Sequence, residues 1–125
     1  MSKERDPHYP GRAPIEAYGA GGFRFAGMSH RGALLAIPTG IWAWQPTSLA
    51  EIDEASFARV IDARDEIDIL LIGTGREHRP LPDALAAWLR EFGIRFDVMT
   101  TAAAASTYNI LLAEGRRAAV ALLPD

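Results

Sequence analysis

The chain has 125 residues, 49% of them hydrophobic and 23% charged, the length of one domain with enough apolar material for its own core. Thirteen basic against sixteen acidic residues leave a formal charge of −3, so no general field draws it to nucleic acid. With no cysteine, disulfides, thiolate zinc sites and cysteine nucleophiles are excluded, and the longest apolar runs, near 69–72 and 118–123, are far too short to cross a bilayer.

Residues 1–14 carry Lys3, Glu4, Arg5, Asp6 and His8 among prolines, with no apolar segment following. That is neither a signal peptide nor an organelle presequence. It reads as a disordered leader on a cytoplasmic protein, with a single domain over 15–125.

Ile15-Glu16-Ala17-Tyr18 begins an alternating strand, Gly19-Ala20-Gly21-Gly22 supplies positive φ for a hairpin, and Phe23-Arg24-Phe25 returns. Gly27 to Gly32 reads as a polar loop. Ala33 to Ile37 is a third strand, Pro38-Thr39-Gly40 a turn, and Ile41 to Trp44 a fourth strand. Turns this short make the four strands antiparallel. Trp42 and Trp44 alternate and so face the same way: core packing suits one, and exposure of the other would suit a protein contact.

After Pro46 the period lengthens. Phe57, Val60 and Ile61 recur at helical spacing, with Asp53 favoured over Ser48 as the cap. Ile67–Ile72 is a nearly continuous apolar strand, as a central strand should be. Pro82 fits the first position of a helix whose apolar stripe is Leu85, Trp88, Leu89 and Phe92, and Gly93 fits the left-handed position beyond it. Ile94–Met99 is a strand, Ala102–Glu114 an Ala-rich helix and Ala118–Leu123 the last strand. Strands alternating with helices over short connections predict right-handed crossovers. The fold class is therefore α/β: a layered domain with a central mixed sheet, flanking helices and an additional N-terminal antiparallel portion built from the first four strands.

If the strands ending at Ile72 and Met99 are parallel, Gly73-Thr74-Gly75 and Thr100-Thr101 open on one rim, where open α/β sheets bind ligands. Free N–H groups at the start of the Ala102 helix favour an anion there, with Arg76, His78 and Arg79 close in sequence. The alternative is structural: the glycines turn the chain and Thr101 caps its helix. Gly73-Thr74-Gly75 lacks both the third glycine of a dinucleotide fingerprint and the Gly-Lys-Ser/Thr ending of a phosphate loop. Tyr108 and Asn109 either point into a cleft beside Thr74, or fill core volume and anchor a loop backbone. Arg116 and Arg117 sit where cations offset a helix dipole. His8, His30 and His78 show no ligand spacing and indicate no metal site. No nucleophile elbow or paired-carboxylate signature stands out, so no catalytic residue and no cofactor is assigned.

The ordered set Gly73-Thr74-Gly75, a helix near Pro82, Gly93-Ile94, Met99, Thr101, Ala104, Tyr108-Asn109, Leu111 and Arg117 resembles a known small single-domain family. That family contains the mitochondrial respiratory complex I assembly factor 3 and the adipogenesis-associated domain protein. Tyr18-Gly19, Gly22-Phe23, Trp42 and Trp44 resemble its amino-terminal half, and the likeness runs from Ile15 to Leu123. The resemblance implies a layered domain around a mixed sheet of about five strands, a non-enzymatic interaction or assembly-factor-like role with a protein partner, and Arg117 as the arginine of a specific carboxylate or ligand contact. The alternative is a small-molecule (anion) binding protein or enzyme using the rim of Gly73–Gly75 and Thr100–Thr101.

Overall fold

The computed structural model describes residues 7–125. Three short strands, β1 (Ile15–Gly19), β2 (Gly22–Phe25) and β3 (Met28–Arg31), form an antiparallel sheet. Both of its hairpins turn on an Ala-Gly pair at positive φ: Ala20 at 52° with Gly21 at 79°, and Ala26 at 49° with Gly27 at 74°. Two consecutive positive φ values match the right-handed twist of the strands they join. The segment 27–32, expected as a polar loop, is thus mostly strand. Met28, Ser29 and Arg31 are exposed and only His30 is half-buried, so pairing with β2 rather than burial makes it a strand.

The third and fourth expected strands, β4 (Leu34–Ile37) and β5 (Gly40–Ala43), belong elsewhere. They join β6 (Ile69–Gly73), β7 (Phe96–Met99) and β8 (Ala118–Leu122) in one five-stranded mixed sheet of order β5-β4-β8-β6-β7. β8 pairs antiparallel to β4 and parallel to β6, and β7 is parallel to β6. The expectation that the last three strands are neighbours in one sheet holds. A small antiparallel sheet does stand apart, but only two of the four strands expected in it are there: β3 takes the place of β4 and β5, which pair into the central sheet.

Alternation along the central strands feeds two cores. Leu35, Ile37, Leu70, Ile72, Ala119 and Ala121 face a layer containing Phe57, Val60, Leu85 and Leu89. Those four come from a segment of 3-10 turns around a short helix, α1 (Ala58–Asp62), and from α2 (Asp83–Glu91). Leu34, Ala36, Leu71, Val120 and Leu122 face Ala104, Ala105 and Tyr108 of α3 (Thr101–Ala113) and Phe23 and Phe25 of the small sheet. The result is three layers.

Asp53 caps as expected: it accepts from Ser56 N at 3.0 Å while Ser56 Oγ accepts from Asp53 N at 3.1 Å. The turn it opens is 3-10 before it becomes α. Pro82 is the N-cap of α2 rather than its first residue, and Gly93 at φ 76° ends that helix as predicted. Residues 1–6 of the expected leader lie outside the described residues. Its remainder is engaged: His8 N and Tyr9 O bond Ile41 on edge strand β5, at 2.7 and 2.9 Å, and Ala13 is buried.

Candidate functional site

β6 and β7 run parallel, so Gly73–Gly75 and Thr100–Thr101 meet at one rim of the sheet, joined by residue 123 at the end of β8. Thr74 N donates to Met99 O at 2.9 Å, Leu123 N to Gly73 O at 3.0 Å, and Thr101 N to Gly75 O at 2.9 Å. Thr101, with no exposure, is the centre of this rim. Its hydroxyl accepts from Gly75 N at 2.8 Å and donates to Leu123 O at 2.6 Å. Thr74 Oγ1 donates to Glu77 O at 2.6 Å and accepts from Arg79 N at 3.1 Å, folding the following loop back.

Gly73 has a steric reason to be glycine. A Cβ there would lie 2.8 Å from Thr101 Cα and 2.9 Å from Leu122 Cδ2, distances that force the backbone of α3 outward. The helix is capped by Thr100, not Thr101: Thr100 Oγ1 accepts from Ala103 N at 3.2 Å. The N–H groups of Gly75, Ala103 and Ala104 are therefore all committed to Thr100 or Thr101.

Tyr108 and Asn109 lie about two turns farther along α3 and do not join this rim. Asn109 meets Ile15 instead, accepting from its N–H and donating to its C=O, both at 2.8 Å. One amide thereby satisfies both backbone polar groups of a residue 94 positions away; the backbone it anchors is the start of strand β1 rather than a loop. Tyr108 is 1% exposed among the α3-side core. Burial pushes its phenol up to about 12, against the opposing pull of Arg12. Arg117 is at the far end of the sheet, before β8. Its Nη2 donates to Asp68 Oδ1 at 3.0 Å and its N–H to Asp68 Oδ2 at 3.1 Å, with Arg116 Nε 3.9 Å from the same carboxylate. The Arg117 backbone and side-chain hydrogen bonds hold Asp68 below the ordinary carboxylate range. The carboxylate that Arg117 meets belongs to its own chain. Of the eight expected site residues, five converge and three are dispersed.

Both tryptophans of β5 and its extension are buried, Trp42 at 8% and Trp44 at 5% exposure, so neither offers the exposed indole a contact surface would show. Trp44 Nε1 donates to Ser56 O at 2.8 Å. Trp42 Nε1 is shut from solvent with no acceptor. The outer face of α3 is a further feature of the surface. No charged residue occurs between Thr101 and Ala113, and Ile110 is 60% exposed among exposed Ala103, Ser106 and Ala113. The signal was the lack of any polar stripe in an otherwise strongly helical run.

A central mixed sheet between a helical layer and a layer made of one helix and a three-stranded sheet defines a three-layer α/β domain. The chain belongs to the family described as a protein of unknown function (DUF498/DUF598), whose model matches residues 15–123. It is 39% identical to an uncharacterised protein of Rhodobacter capsulatus, over 96% of this chain and 91% of that one. It is 30% identical to the mouse NADH dehydrogenase [ubiquinone] 1 alpha subcomplex assembly factor 3, over 93% of this chain. The match spans 63% of the mouse protein, less than two thirds of its length. A crystal structure described as an outer membrane protein from Bartonella henselae superposes with a TM-score of 0.89 at 49% identity, covering 94% of this chain and 98% of that one. No helix among the described residues is long and apolar enough to cross a membrane.

Proposed function

We propose that this chain is an assembly-factor-like interaction domain that holds a partner polypeptide against the outer face of α3. The observation that carries the reading is that face itself. α3 carries no charged residue from Thr101 to Ala113, a composition expected of a covered helix, yet Ile110 stands 60% exposed. The side chains flanking it, Ala103, Ser106 and Ala113, are small and let a second helix approach closely. The relatives named as assembly factors for NADH dehydrogenase support the same reading, and by that analogy the partner is a subunit of a respiratory NADH dehydrogenase, met in the cytoplasm before its assembly.

The test is affinity capture of the tagged chain from its own host, with wild type, Ile110→Asp and Ala103→Glu compared. Wild type recovers dehydrogenase subunits and both variants lose them, while their unfolding midpoints stay within about 0.5 kcal/mol of wild type, as surface changes should. Equal recovery by all three chains would sink the assignment of this face.

A further inference from the structure

The central sheet has two edges, and the fold treats them differently. At β5 the chain covers its own edge, with His8 N and Tyr9 O bonded to Ile41. At the opposite edge, β7 pairs with β6 alone. Leu70 N donates to Arg95 O and Thr74 N to Met99 O, both at 2.9 Å, so in this parallel ladder Arg95, Asp97 and Met99 turn their peptide groups toward β6. Phe96 and Val98 turn theirs outward. A groove of about 490 Å³, with Ala86, Arg90, Phe96 and Val98 in its wall, lies between α2 and this strand. The pairing with β6 runs from Phe96 to Met99 without a bulge, and the strand holds no proline. An edge with neither device is open to a further strand.

The side chains along the same stretch alternate in kind. Phe96 and Val98 are half-buried against the α2-side core, while Arg95 and Asp97 are exposed and face the other way. Neither takes part in an ion pair among the described residues. From this pattern we infer that β7 is the interface of a symmetric homodimer, the β7 strands of two copies of this chain pairing antiparallel about a twofold axis at Phe96. Phe96 N–H and C=O then bond those of the partner's Phe96, and Arg95 lies directly opposite the partner's Asp97 on one face of the sheet. The twofold repeats that contact, so a single register forms two cross-strand ion pairs. A register centred on Asp97 would instead set two carboxylates against each other. The charges thus select a second copy as the occupant, and they select its register. This interface is independent of the outer face of α3 and stands or falls without it.

The test is sedimentation equilibrium of the full chain up to about 300 µM, where wild type is expected to dimerise with a Kd of about 10–100 µM, the weak end suited to a small interface. Arg95→Asp and Asp97→Arg each convert both ion pairs into like charges and should weaken the dimer by about a hundredfold. An equimolar mixture of the two variants recreates two opposite pairs and should associate as wild type does, and so should the chain carrying both substitutions. Amide exchange at Phe96 should slow as protein concentration rises, whereas Asp97, whose N–H already faces β6, should not respond. Ile110→Asp should leave the Kd unchanged. The inference is overturned by a wild type that stays monomeric over this range, by a dimer indifferent to either charge reversal, by a mixture that fails to associate, or by loss of the dimer in Ile110→Asp.

Discussion

α2 and α3 cover opposite faces of the same sheet and are fixed there by different means. α2 buries Leu85 and Leu89 and presents Asp83, Arg90 and Glu91 to solvent, so its sequence is accounted for by packing and solubility. α3 buries Ala104, Ala105 and Tyr108, but its position is set by two polar side chains, Thr101 at the rim and Asn109 at β1. Small alanines leave little volume to interlock, and a helix sliding on alanines needs directional bonds to fix its register. The charge-free outer face is the one part of α3 that the fold does not explain, which is why the interaction reading rests there.

The largest loss is expected at Thr101. Thr101→Val leaves Gly75 N–H and Leu123 C=O unpaired in a fully buried place, an expected loss of about 2–5 kcal/mol at two orphaned groups. Thr101→Ser should recover most of it, and Thr100→Ala, which loses only a cap, should cost about 1 kcal/mol. Urea midpoints of the three variants decide the matter. If Val and Ser behave alike, the hydroxyl is not what fixes the helix.

Asn109→Ala should come next, at about 1–3 kcal/mol through the orphaned peptide groups of Ile15. Its signature is local: amide exchange at Ile15 and along β1 should accelerate well before that of β6 or β8. Uniform acceleration across both sheets would mean that the amide is not a separate clamp.

A smaller effect is expected from pH, through His30 of the small sheet. Burial lowers the pKa of His30 on β3 from 6.5, against a hydrogen bond to Ala33 O at 3.0 Å; nearby His8 also disfavours its charge. The unfolded chain therefore binds this proton more readily than the folded one, so stability declines as pH falls below about 6.5 and levels off beneath the folded pKa. Thermal unfolding of wild type and His30→Gln between pH 8 and 5 checks this; parallel curves would remove His30 from the account. The smallest expected change is Ile110→Asp, within about 0.5 kcal/mol. A larger loss by calorimetry would mean that Ile110 supports the fold itself.

How much of this was legible in the sequence varies along the chain for physical reasons. β6, β8, α2 and α3 announce themselves through apolar runs, periodicity and the glycines at 93 and 115, because each signal is local. β3 was missed because none of its residues is buried, although the two Ala-Gly pairs at 20–21 and 26–27 were a usable hairpin signal. The allegiance of β4 and β5 to the central sheet depends on pairing with β8, more than eighty residues on, which no local pattern encodes. At the rim, Gly73, Thr74, Gly75, Thr100 and Thr101 were correctly brought together by the logic of parallel strands. What went unread was that adjacent threonines divide the labour, one capping the helix and the other tying three strand ends.

The strand order carries a consequence for biosynthesis. β8 lies in the middle of the central sheet, between β4 and β6, yet it is the last of the eight strands to be made. Until it leaves the ribosome, the β4–β5 hairpin and the β6–β7 pair have no shared neighbour, and Leu34, Leu71 and their companions stay without a common core. The central sheet is thus completed only once residues 118–122 are in place, and a chain stopped before residue 118 would be two unjoined half-sheets for proteases to clear.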